Sequence, residues 1–166
     1  ITRSAVLHHF ESKEALLAEV LTPLVVAIDA MLDRREAAGK LTPRTRRPFL
    51  VEMVDIICDH PDATAIAAFD ASIRHRLDAG HQIDERGRRY AGLATINQDD
   101  PQAAVRAFAA MGAMLRPAYT PPGLIDLDDP EVRRTIVDCA MAVYSTAPRV
   151  PTTSPSSAAA TPAAPS

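Results

Sequence analysis

Apolar residues recur every three to four positions along almost all of this chain, and nowhere do they alternate long enough to build a strand. A stripe with that period must be covered, so the chain is constrained to helices packed on helices, an all-α class. The clearest stripe is Leu16, Leu17, Val20, Leu21, Leu24, Val25, Ile28, Met31 and Leu32, which predicts an amphipathic helix capped by Ser12 and reaching about Ala38. Pro23 lies inside it, removes the hydrogen bond to Glu19, and is expected to kink it. Gly39 and Thr42-Pro43 break the chain. The next helix is expected from about Arg46 to Asp59, with Phe49, Leu50, Met53, Val54, Ile56 and Ile57 inward.

His60-Pro61-Asp62 marks a restart, followed by a helix to about Asp78 carrying Ile66, Phe69, Ile73 and Leu77 and ended by Ala79-Gly80. A short helix is expected near Asp84 to Leu93. Asp99-Asp100-Pro101 and Asp128-Asp129-Pro130 each set an acidic cap before a proline, so the last two helices start there, running to about Arg116 and Ser145. Between them, Pro117 to Leu127 reads as a long surface loop. At the other end, Thr2 reads as the cap of a short helix reaching His9.

The chain of 166 residues is 47% apolar and 23% charged, with a formal net charge of -3, so an overall basic balance is absent and any nucleic-acid contact has to come from a local surface. Its two cysteines, Cys58 and Cys139, sit among apolar residues in helical pattern; a disulfide framework is not expected, and a reducing cytoplasm is the expected compartment. Neither a signal peptide nor an uninterrupted apolar run of membrane-spanning length is read, so no membrane association is expected. The sequence opens Ile-Thr-Arg-Ser without Met and goes directly into patterned residues, as if it began inside a motif. Residues 147–166 are nearly all Ala, Pro, Ser and Thr and are expected to be disordered, since they carry too little apolar surface to offset ordering.

The informative segment is Thr2-Arg3-Ser4-Ala5-Val6-Leu7-His8-His9-Phe10-Glu11-Ser12-Lys13-Glu14-Ala15-Leu16-Leu17. A short helix, a one-turn break at Phe10-Glu11 and a long helix form the pattern of a helix-turn-helix read from its second helix onward. Ala5, Val6 and Phe10 then pack inward, while Thr2, Arg3, Ser4, Leu7 and His8 lie toward a major groove and its phosphates. The plainer alternative is a polar surface on a frayed N-terminal turn.

This stretch resembles the recognition helix and following junction of the TetR/AcrR family of transcriptional regulators, matching it at Thr2, Ser4, Ala5, Val6, His9, Phe10, Ser12, Lys13, Glu14 and Leu16. The resemblance implies a TetR-like helical bundle: a partial helix-turn-helix over residues 1–17, then an effector-binding and dimerisation domain over 18–146. It implies a homodimeric, ligand-responsive repressor of double-stranded operator DNA. Thr2, Arg3, Ser4, Leu7, His8, His9 and Lys13 are the expected DNA-contacting residues, with Arg3 suited to a guanine edge and Lys13 to a phosphate. Leu7 stands where the family has a phosphate-contacting Tyr and can offer only apolar contact. The family's first helix and most of its second precede this motif and are not in the sequence, so the chain alone is expected to bind DNA weakly or not at all.

The resemblance also implies a small, apolar effector among the central helices, with Met53, Ile57, Phe69, Ile73, Phe108, Met111 and Leu115 as candidate lining residues. For any one of them taken singly, ordinary core is the favoured reading. The helix over 101–116 is apolar on two faces, so one face is expected to meet a partner. With the last helix it would form a four-helix dimer bundle through Val105, Ala109, Gly112, Val132, Ile136 and Val143. No enzyme signature, cofactor or metal site is expected. His75, Asp78 and His81 fall three apart as metal ligands can, but Ala79-Gly80 is expected to break the helix before His81, so solvated surface is the expected reading. The basic run of 34–47 reads as a solvated hinge in preference to a second nucleic-acid patch, and the arginines of 86–89 as a solvated helix face. The alternative function is a helical ligand-binding or dimerisation module without DNA binding.

Overall fold

The structure, a computed structural model, describes residues 10–69, 79–95, 100, 102–121 and 123–145. These form α-helices and turns, with no strand among the described residues. The order is α1 (Lys13–Ala37), α2 (Pro43–Asp59), α3 (Pro61–Phe69), α4 (Ala79–Ala94), α5 (Ala103–Leu115), a 3-10 turn (Arg116–Tyr119) and α6 (Pro130–Ser145). The class is the one the apolar period dictates.

Local chemistry sets most of the boundaries. Ser12 caps α1 as expected, its hydroxyl accepting from the Ala15 amide at 3.0 Å. Asp129 does the same for α6, accepting from the Glu131 amide at 2.8 Å. At the head of α5 the Asp100 carboxylate accepts from the Gln102 amide at 2.9 Å, and the helix begins at Ala103, slightly later than the acidic signal suggests. Helix α2 begins earlier than Arg46: Thr42 and Thr45 form a reciprocal capping box, so Thr42-Pro43 starts the helix instead of merely ending a loop. Pro48 then lies inside α2, as Pro23 lies inside α1, and both helices continue through them. Ala79 and Gly80 are the first residues of α4, not a terminator. The region after α5 is not wholly loop, because Arg116–Tyr119 tighten into a 3-10 turn before Gly123 adopts φ 82°.

The core gathers Met31, Leu32, Phe49, Leu50, Met53, Val54, Ile57, Tyr90, Ala107, Ala110, Met114, Ile136, Val137 and Ala140 from α1, α2, α4, α5 and α6. A smaller cluster of Leu21, Leu24 and Ala63 joins α1 to α3. Phe49 stacks on Tyr90 with ring centroids 5.9 Å apart.

Ion pairs tie α1 to its neighbours. Arg86 on α4 pairs with Asp29, and Arg89 reaches Asp29, Asp33 and Glu36. Glu52 on α2 accepts from Arg34 at 2.6 Å and Arg35 at 2.8 Å, and Arg133 on α6 pairs with Asp55 and Asp59. Reading Arg35, Arg86 and Arg89 as free solvated surface is therefore corrected, because each is partly buried against carboxylates that replace the water.

One 18-residue window of α1 is long and apolar enough to cross a membrane by length and composition, although the sequence shows no uninterrupted run; 22% of it is buried in the fold. Glu19 and Asp29 interrupt the run, yet the stretch stays apolar on average. A helix packed in a core can be as long and as apolar, so this window does not place the protein.

Candidate functional site

The N-terminus of α1 is the described edge of the motif. Phe10 is half-buried, Glu11, Ser12 and Lys13 are exposed, and the hydroxyl of Ser12 closes the first turn. Lys13 is the first helical residue, beside amides that end in a partial positive charge. That arrangement suits an anion. Thr2, Arg3, Ser4, Leu7, His8 and His9 lie outside the described residues, as does the expected short helix that carries them.

The candidate effector residues that are described divide between the core and the surface. Met53 and Ile57 are packed in the core, and Met111 and Leu115 are half-buried against it. Phe108 points away, 49% exposed, because α5 buries Ala103, Ala107, Ala110 and Met114 instead. Phe69 ends α3 with its side chain outside the description, and Ile73 lies outside altogether. A groove of about 620 Å³ runs instead along the outer side of α1 and α2, floored by Ala27, Ala30, Pro48, Val51 and Ile56. Its charged rim of Arg34, Arg47, Glu52, Asp55 and Asp59 is self-paired or paired with α6.

In the core, a polar chain crosses the helices. The Tyr90 hydroxyl donates to the Ala107 carbonyl at 3.2 Å and shares a 2.8 Å hydrogen bond with the Tyr144 hydroxyl, while the Arg46 guanidinium lies 4.8 Å over the Tyr144 ring. Burial pushes both phenols above their ordinary range, so they remain neutral donors. The Cys58 thiol is likewise raised by burial and is not primed as a nucleophile. Sequence reasoning missed this chain and the α1–α4 ion pairs. The second had a signal: Asp29, Asp33 and Glu36 share one face of α1, and Arg86 and Arg89 one face of α4.

The candidate dimer residues divide. Val105, Ala109 and Gly112 lie exposed along α5, with Val105 67% accessible. Ile136 is buried, and Val132 and Val143 pack against the chain's own core, so α6 turns that stripe inward. Among the described residues no group of three or more His, Cys, Asp or Glu is placed to hold a metal ion; His75 and Asp78 lie outside them, as does the His81 side chain. No family model matches the chain, and neither the curated proteins nor the solved structures yield a match.

Proposed function

We propose that this chain is the greater part of a TetR-type, ligand-responsive transcriptional repressor, homodimeric and cytoplasmic, that binds double-stranded operator DNA. The observation that carries the reading is the junction at the head of α1. A His-Phe-x-Ser-Lys-Glu segment leads into a long helix whose cap is the motif's serine and whose exposed first residue is the motif's lysine. In this reading Arg3 meets a guanine edge, Thr2, Ser4, Leu7, His8 and His9 add shorter contacts, and Lys13 neutralises a phosphate. Helix α1 links the DNA end to the helical body, so an apolar effector that shifts α1 would change the separation of two recognition helices.

The test is a mobility-shift titration of the product of the complete open reading frame on its own upstream DNA. The expected result is a shift that Arg3→Ala and Lys13→Ala weaken, with Lys13→Ala also making the salt dependence shallower by about one counterion per protomer. Binding that neither substitution alters contradicts the assignment.

The second reading, a helical ligand-binding or dimerisation module without a DNA role, is favoured by the apolar-floored groove between α1 and α2. It predicts that an apolar fluorescent probe is held there and displaced by Val51→Trp, while no DNA shift is seen.

A further inference from the structure

Helix α2 carries two stripes. Phe49, Leu50, Met53, Val54, Ile57 and Cys58 face the core, while Pro48, Val51, Asp55, Ile56 and Asp59 recur at helical spacing on another face and line the groove beside α1. Val51 is 41% exposed there. On the α1 side, Ala27 and Ala30 present only methyl groups, which gives the trough its depth. The two ends differ in charge. At the Pro48 end Arg34 and Arg35 share Glu52, a cationic excess; at the other end Asp55, Asp59 and Asp128 share Arg133, an acidic one. Helix α6 brings its C-terminal end to the first of these. The Arg46 guanidinium lies 4.8 Å over the Tyr144 ring, and Arg47, on the groove's rim, pairs with Asp138 at 2.7 Å. The chain therefore leaves α6 at Ser145 beside one mouth of the groove and runs on to Ser166. Residues 146–166, with the tail expected to be disordered, lie outside the described residues.

We propose that residues 148–153 of this chain lie in its own groove, running from the Pro48 end toward Asp59. Reach and register agree. Arg46 to Asp59 on α2 span about 20 Å at the helical rise. Thr146 and Ala147 serve for the turn, and the six residues from 148 to 153, extended as polyproline, cover about 19 Å. Arg149 is the one charge after Ser145, and Val150 the one large aliphatic residue. That order carries uncharged residues past the cationic mouth and brings the guanidinium within a side chain's reach of Asp55, which is 49% exposed. Val150 then lies over Val51. Pro148 and Pro151 share one face at three residues per turn and meet the apolar floor, leaving Arg149 and Thr152 toward the rim. A segment too poor in apolar residues to build a core can still lay its few on a surface already built, and its prolines have little backbone freedom to lose. The contact goes beyond both functional readings and depends on neither; an apolar ligand of the groove would have to displace it.

Paramagnetic broadening in the full chain tests it. A nitroxide at Thr152→Cys, in a Cys139→Ser background that leaves Cys58 buried, is expected to broaden the amides of Asp59 and Asp62 more than those of Gly39 and Leu41 at the exit end. A tail that does not dock gives the reverse order, and that result overturns the proposal. Arg149→Glu and Val51→Asp, the second at an exposed position, are each expected to abolish the broadening at Asp59 and Asp62 with unchanged helical circular dichroism. Broadening there that survives either substitution overturns the groove as the tail's seat. Should Val51→Asp unfold, Arg149→Glu, which lies in the tail, decides alone. In a mixture of spin-labelled and separately isotope-labelled chains these amides are expected to stay sharp. Broadening in the mixture gives the groove to the tail of a second copy and overturns the intramolecular contact.

Discussion

The side chain that joins most of this fold is Tyr90. Its ring stacks on Phe49, and its hydroxyl bridges the Ala107 carbonyl on α5 and the Tyr144 hydroxyl on α6. Tyr90→Phe keeps the ring but leaves a buried carbonyl and a half-buried phenol short of a partner, so a loss of about 1–3 kcal/mol in denaturant unfolding is expected. Phe49→Ala removes a fully buried ring and is expected to cost about 3–5 kcal/mol in the same measurement. If Phe49→Ala unfolds at the wild-type midpoint, the core has been placed around the wrong residues. These two were unequally visible in the sequence. Phe49 begins an apolar stripe and could be assigned inward from period alone. Tyr90 sits in a weakly patterned stretch between Arg89 and Gly92, and only the approach of three other helices makes it core.

Among the elements, α1 is held by charge as well as by its apolar stripe. Burial raises the Glu52 carboxyl, but the guanidiniums of Arg34 and Arg35 outweigh it and hold the group below its ordinary 4.5. Glu36 lies below 4.5 as well, through its hydrogen bond from Arg89. Carboxylates lowered in the fold contribute stability that is complete above the ordinary value and lost as pH falls through the folded one. The melting temperature is therefore expected to be flat near neutral pH and to fall below about pH 4.5, with Glu52→Gln showing a shallower fall. An equal acid slope in wild type and variant would remove Glu52 from this role. Capped helix starts were the most legible feature of the elements, because Ser12 and Asp129 act on amides two or three residues away. Which face of α5 is covered was not legible, since both faces are apolar and the choice is made by the packing of α4 and α6.

At the scale of the whole molecule, the proposed DNA end is the head of α1, and the body is held by the packing of α1, α2, α4, α5 and α6. The all-helical class was legible because one period runs through the chain. Of the two stripes read as facing a partner, the α5 one is exposed and the α6 one is used internally. The most direct measurement places the head of α1 against DNA. An iron chelate tethered at the exposed position 11, as Glu11→Cys in a Cys139→Ser background, generates hydroxyl radicals beside whatever that turn approaches. With the complete gene product on its upstream DNA, cleavage is expected at two sites about 10 base pairs apart, or a multiple of that spacing, from the two protomers of the proposed dimer. Uniform cleavage matching that from a chelate tethered at Asp138→Cys, far along α6, would contradict it.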